Sequence, residues 1–238
     1  MAAVTIDASG KTSREVNAAI RSQVAEGHSE ITVLHPGALH NLAVAQLTRV
    51  KIRIEGSAGY YCAGLIDGAS VEVLGSAGWG LAESMLNGDI RVHGSAGCGA
   101  AAALRGGTVV IHGDAAARVG VSMKGGLIIV GGSCGYMAGF MGQKGTLIVC
   151  GDAGEAFADS LYATTCYVGG TIASLGTDAV IESAGEAEIQ QLDQLLAAHL
   201  PAEIRSRVAP AASFQKVVAG RKLWNFDQRE WKIWQEAL

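Results

Sequence analysis

The sequence predicts an all-β core, a right-handed parallel β-helix (β-solenoid) of about seven coils. Three observations predict it. A glycine recurs at Gly56, Gly75, Gly94, Gly113, Gly132 and Gly151, with an interval of 19 residues throughout. A second glycine follows three positions later at Gly59, Gly78, Gly97, Gly135 and Gly154, and a third column runs Gly88, Gly107, Gly126 and Gly145. Between this last column and the next repeat lies a short strand with branched or Leu side chains at alternate positions: Val71/Val73, Ile90/Val92, Val109/Ile111, Ile128/Val130 and Leu147/Val149. Self-similarity at one fixed period, with a strand in every unit and glycines at the bends, signals stacked coils.

The glycines are expected to take positive-φ positions and the crowded inner bends that a Cβ-bearing residue resists. Stacked strands are separated by about 4.8 Å, so six marked turns imply a rod on the order of 30 Å long. At 49% hydrophobic and 17% charged, 238 residues suffice for a real core.

Residues 1–30 read as an N-terminal strand and helix cap. "SGKTS" (9–13) lacks the glycine that a phosphate-binding loop needs five residues before Gly10, where Thr5 stands. It fits a helix start instead, with Thr12 as N-cap and Glu15 completing a capping box ahead of Val16, Ile20 and Val24, and Gly27 as the stop. This helix, with "ITV" (31–33), is expected to plug the end of the rod, where an open edge would template aggregation. The β-helix domain spans 31–185, and "IRI" (52–54) supplies an early strand. Residues 186–208 form a helical segment: Ile189, Leu192, Leu195 and Leu196 lie at helical spacing over 186–199, and Pro201 opens a short turn through Val208. Residues 209–238 form an aromatic tail holding Phe214, Trp224, Phe226, Trp231 and Trp234, with Trp231, Trp234 and Leu238 on one side of a helix from Asp227. The tail reads either as a docking arm or as a segment folded back on the rod. As a docking arm, everything after Ser213 would be dispensable for folding.

The net charge is −4, and residues 56–176 hold eight acids against five bases, which argues against nucleic acid. The N-terminus lacks an apolar signal core or an Arg-rich presequence, and no run of 18 apolar residues occurs, so a cytoplasmic, non-membrane protein is expected.

Cys62, Cys98, Cys134, Cys150 and Cys166 are spaced 36, 36, 16 and 16 apart with no CxxC, and they fall at five different positions of the repeat. Thiolates that circle a rod do not converge on a metal, so they read as small buried hydrophobes. His93 and His112 share one column and should stand about 4.8 Å apart. With Leu74, Gly131 and Cys150 as column neighbours they have no third ligand, and they read as a surface ladder. This is the only same-column polar ladder expected. The residues assign no catalytic, cofactor-binding or metal site.

If the strand positions named above point inward, the position between them points outward, and it reads Glu72, Arg91, Val110, Ile129, Ile148. The dry half of that stripe must be covered by the chain's own helix or by another subunit.

The repeat "GSAGWGLAESMLNGDIRVHGSAGCGAAAALRGGTVVIHGDAAARVGVSMKGGLIIVGGSCGYMAGFMGQKGTLIVCGDAG" resembles the glutamate synthase GXGXG domain family, over about residues 30–185. That domain ends the large (α) subunit of glutamate synthase and recurs as one component of formylmethanofuran dehydrogenase. The chain carries no amidotransferase or flavin domain, so it looks like the small subunit of a three-subunit, glutamate-synthase-like enzyme. The lead-in "EITVLHPGALHNLAVAQL" and the tail "FQKVVAGRKLWNF" favour the N-methylglutamate synthase subfamily of methylamine-using bacteria. The resemblance implies an amidotransferase-type partner and a second partner binding FMN and an iron–sulfur cluster, with no cofactor in this chain. In that family the β-helix domain is structural, so no catalytic residue carries over. The alternatives are a formylmethanofuran-dehydrogenase-type or ordinary glutamate synthase subunit, or a self-sufficient β-helix enzyme with a polar groove on one outer face.

Overall fold

A computed structural model describes residues 4–221 and 235–236. Strands β1 (Val4–Asp7), β2 (Glu30–Leu34), β3 (Lys51–Glu55), β4 (Asp67–Val73), β5 (Asn87–Val92), β6 (Thr108–Ile111), β7 (Lys124–Val130), β8 (Lys144–Val149) and β9 (Ala163–Val168) stack in chain order, all parallel. From β3 to β9 the register Ile52, Val71, Ile90, Val109, Ile128, Leu147, Cys166 advances by 19 residues at each step. This is a parallel β-solenoid of about seven turns. Those side chains and the column Ile54, Val73, Val92, Ile111, Val130, Val149, Val168 are buried and fill the bore. Single parallel bridges through Ala58, Ala77, Ala96, Ala115, Cys134, Ala153 and Ile172 complete each coil.

The side of each coil that follows these bridges uses an uncommon backbone. Three columns adopt positive φ on every level: Tyr61 to Ala156, Ala63 to Ala158 and Leu65 to Ser160, each at intervals of 19. Most members are Gly, Ala or Ser, yet Tyr61 (58°) and Leu65 (58°) share the conformation. A non-glycine residue there costs roughly 1–2 kcal/mol, and inter-coil bonds offset it: Tyr61 N–H donates to Trp79 O at 2.7 Å and Leu65 N–H to Glu83 O at 2.9 Å.

The glycine columns therefore need two explanations. Gly88 (φ 124°) and Gly107 (78°) take the left-handed region as expected. Gly94 and Gly113 do not, which corrects the expectation that these bends demand positive φ. A Cβ on Gly94 would lie 2.3 Å from Ser76 Oγ, and one on Gly113 would lie 2.5 Å from Ser95 Oγ, so close approach between coils excludes a side chain.

The cap begins with α1 (Ser13–Ala25). Glu15 N–H donates to Thr12 Oγ1 at 3.3 Å and Thr12 N–H to Glu15 Oε2 at 2.7 Å, the reciprocal box expected from sequence. Val16 and Ile20 are fully buried against the rod's end. The terminal strand is β1, while β2 lies inside the sheet.

At the other end, β10 (Ala179–Glu182) leads to α2 (Glu186–His199), α3 (Ala202–Arg205) and β11 (Gln215–Ala219). Strand β11 inserts antiparallel between β9 and β10. Phe214 and Ala211 are buried with α2. Residues 211–219 thus belong to the rod, and the expectation that folding tolerates loss of everything after Ser213 is corrected. Trp224, Phe226 and the helix expected from Asp227, with Trp231, Trp234 and Leu238, lie outside the described residues.

Candidate functional site

One sheet face carries the outward stripe Arg53, Glu72, Arg91, Val110, Ile129, Ile148, Tyr167 in continuous register. Its apolar half needs no other subunit. Leu192, Leu196 and Leu200, with Ile189 and Leu195 partly buried, pack on Val110, Ile129, Ile148 and Tyr167. Lys216 of β11 fastens the helix start, donating to Glu188 Oε1 at 2.7 Å. Helix α2 ends at His199 where the stripe turns polar, because a Leu-rich helix gains nothing over charges.

Beyond that end the face is open. A groove of about 430 Å³ is lined by Ser70, Glu72, Asp89, Arg91, Thr108 and His199. A second of about 350 Å³ continues along Glu30, Thr32, Lys51, Arg53, Ser70 and Glu72. Glu72 sits at their junction. It accepts from Arg53 Nη1 at 2.8 Å and from His93 Nε2 at 2.8 Å. Partial burial pushes its carboxyl up, but the His93 hydrogen bond and the Arg53 charge outweigh this and hold it below the ordinary range. Arg91 forms no ion pair among the described residues.

The histidine column follows next. His93 and His112 lie 4.9 Å apart between ring centroids, tilted by 57°. The expected surface ladder holds only for His93, because His112 is 9% exposed and its Nε2 has no hydrogen-bond partner. Burial, then the nearby His93 and Arg91 charges, lower the His112 pKa to about 4, with Glu72 opposing. His199 is lowered by burial and by Arg91, against Asp89. The two histidines and the Glu72 stripe are each visible in the sequence, and the fold joins them through the His93–Glu72 hydrogen bond. The signal was present, since alternate outward positions of adjacent coils are neighbours.

A second polar ladder was missed. Ser57, Ser76, Ser95, Asp114, Ser133 and Asp152 each accept the backbone N–H of the residue 19 positions on, at 2.7–3.1 Å, ending at Thr171. This corrects the expectation that the histidine pair is the only such ladder. The column was legible as small polar residues after each glycine.

The five cysteines are free, Cys62, Cys134, Cys150 and Cys166 are buried, and Cys134 lies close enough to Cys166 to add to the effect of burial in raising its thiol. Burial pushes the thiols of Cys62, Cys134 and Cys150 up to about 12, which leaves them protonated and poor ligands. Among the described residues no group of three or more His, Cys, Asp or Glu side chains could hold a metal ion, and no helix is long and apolar enough to cross a membrane. No protein-family model matches the chain, and no curated protein matches it significantly.

Proposed function

We propose that this chain is a non-catalytic organising subunit of a glutamate-synthase-like complex, most specifically of the N-methylglutamate synthase type. There it would bridge an amidotransferase-type subunit and an FMN- and iron–sulfur-binding subunit while the complex transfers methylamine to glutamate. The observation that carries the reading is how the rod uses its polar groups. The Ser57-to-Thr171 ladder spends six side chains on holding coil to coil, and the buried thiols are inert, which suits a scaffold. The GXGXG resemblance supplies the complex and its chemistry.

The test is a pull-down of the native protein followed by absorption spectroscopy and metal analysis. Flavin and cluster colour in the complex and none in the isolated chain is the expected result. Stoichiometric iron or FMN on the purified chain would overturn it.

A second reading, a β-helix enzyme acting alone, draws on one observation: Glu72 hydrogen-bonded to His93 at the junction of two grooves. A carboxylate-oriented imidazole is the form a general base takes. Turnover by the isolated chain that a folded His93→Gln variant loses would favour it over the scaffold.

A further inference from the structure

The open end of the outward stripe carries two charges that the fold leaves unpaired. Six Asp, Glu, Lys or Arg side chains line the two grooves there: Glu30, Lys51, Arg53, Glu72, Asp89 and Arg91. Four of them are paired, Lys51 with Glu30 at 3.1 Å and Arg53 with Glu72 at 2.8 Å. The side chains of Asp89 and Arg91 make no hydrogen bond or ion pair among the described residues.

Arg91 is unpaired for a reason that lies one coil away. Its register partner in β4 is Glu72, but both oxygens of that carboxylate are taken: Oε2 accepts from Arg53 and Oε1 from His93, each at 2.8 Å. Arg91 is half-buried, and a guanidinium brings five donors to whatever fills the groove. Asp89 stands two positions earlier on β5, on the same face and about 7 Å away along the strand. A cation and an anion thus stand side by side in one groove of about 430 Å³ without neutralising each other.

We propose that this groove binds a free α-amino acid with a short aliphatic side chain, its carboxylate on Arg91 and its ammonium on Asp89. Ser70 and Thr108 flank Asp89 in register, one coil to either side, and bring hydroxyls to the polar groups. The end of α2 forms a wall through Ala198 and His199, and the C-terminal end of a helix carries the partial negative charge that favours an ammonium. His199 is held below the ordinary histidine range by burial and by Arg91, so it is neutral at pH 7 and does not compete for Asp89. Val110, the register partner of Arg91 in β6, and Ala198 give the groove the apolar surface that a methyl or isopropyl group would cover. The same charges disfavour other ligands. Phosphate, or the second carboxylate of glutamate, would meet Glu72 and Asp89 beside Arg91. The site is therefore not one for the acidic amino acid of the reaction proposed above, and it rests on neither reading of the function.

Ligand-observed NMR titrations of the full chain with L-alanine and L-valine at low salt give the test. L-Valine should bind with a dissociation constant of about 1 mM, the scale that a few charge-assisted contacts give so small a molecule. N-acetyl-L-valine, L-valinamide, inorganic phosphate and L-glutamate should each bind at least about tenfold more weakly, since each lacks a charge or carries one too many. Arg91→Gln and Asp89→Asn should each weaken L-valine at least about tenfold, with the melting temperature as in wild type because neither side chain has a partner to lose. If a variant misfolds, the analogue series on the wild-type chain decides alone. No saturable binding of either amino acid up to about 20 mM, well above that constant, or binding indifferent to both substitutions, overturns the site. Phosphate or N-acetyl-L-valine binding as tightly as L-valine would show an anion site at Arg91 alone and overturn the amino-acid assignment. L-Glutamate binding as tightly would overturn the short aliphatic side chain.

Discussion

The His112 imidazole, 4.9 Å from that of His93, is buried with an unsatisfied Nε2, while His93 donates to Glu72 at 2.8 Å. One coil of displacement turns a solvated, carboxylate-paired histidine into one whose protonation the fold opposes. The His112 pKa is about 4 in the folded chain against an ordinary 6.5. A depressed histidine pKa means the unfolded chain takes up the proton first. Stability is then unaffected above about pH 6.5 and falls as the pH drops from there, levelling off below the folded value, with a total loss on the order of 3 kcal/mol. Urea unfolding at pH 7 and pH 4.5 should show this slope, and His112→Leu should flatten it, since Leu74 already occupies the column. An unchanged slope in the variant would sink the assignment.

Gly94→Ala should destabilise the rod by about 1–3 kcal/mol through overpacking. The added Cβ meets Ser76 Oγ at 2.3 Å, with Gly75 O behind it at 3.0 Å. Removing the hydroxyl in a Ser76→Ala background should recover part of the loss, a coupling that backbone strain would not produce. Thermal melts of the four proteins in the cycle decide between the two causes.

Asp114→Ala should cost about 1 kcal/mol, because Ser133 N–H loses its acceptor at 2.8 Å. Asp114→Ser should cost much less, since serine holds the same rung at Ser76, Ser95 and Ser133. Denaturant midpoints for the pair test whether the ladder, and not the charge, is what the rod uses.

Leu192→Ala or Leu196→Ala should destabilise by about 2–5 kcal/mol. Both side chains are buried over Val110, Ile129 and Ile148. Loss of the cover also exposes an apolar sheet face, so light scattering on heating should rise in step with the fall in melting temperature. A melt unchanged from wild type would show that α2 does not hold this face.

Truncation after Ser213 should destabilise the chain severely, because β11 is removed from between β9 and β10 and Phe214 is lost from the α2 cluster. Truncation after Arg221 should leave the rod's melting temperature within a few degrees of wild type. Size-exclusion chromatography with the partner subunits then isolates what residues 222–238 contribute to assembly. Normal assembly of the shorter chain would remove the docking-arm reading of the tail.

The sequence by itself determined the solenoid. A 19-residue period forces identical positions into vertical columns, so Ile52, Val71, Ile90 and their successors had to share one bore, and the Thr12/Glu15 box and the helix over 186–199 were local enough to read directly. Tertiary structure alone decided what each column meets. Whether α2 or a separate protein covers Val110, Ile129 and Ile148 depends on a chain reversal that no periodicity encodes. The antiparallel insertion of β11 joins residues some fifty apart with no repeat between them. The burial of His112 beside an open His93 does not follow from the column they share, and Gly94 is a glycine because of a serine one coil below. Columns are fixed by spacing along the chain, but contacts between columns and their cover are fixed by the path the chain takes after the repeat stops.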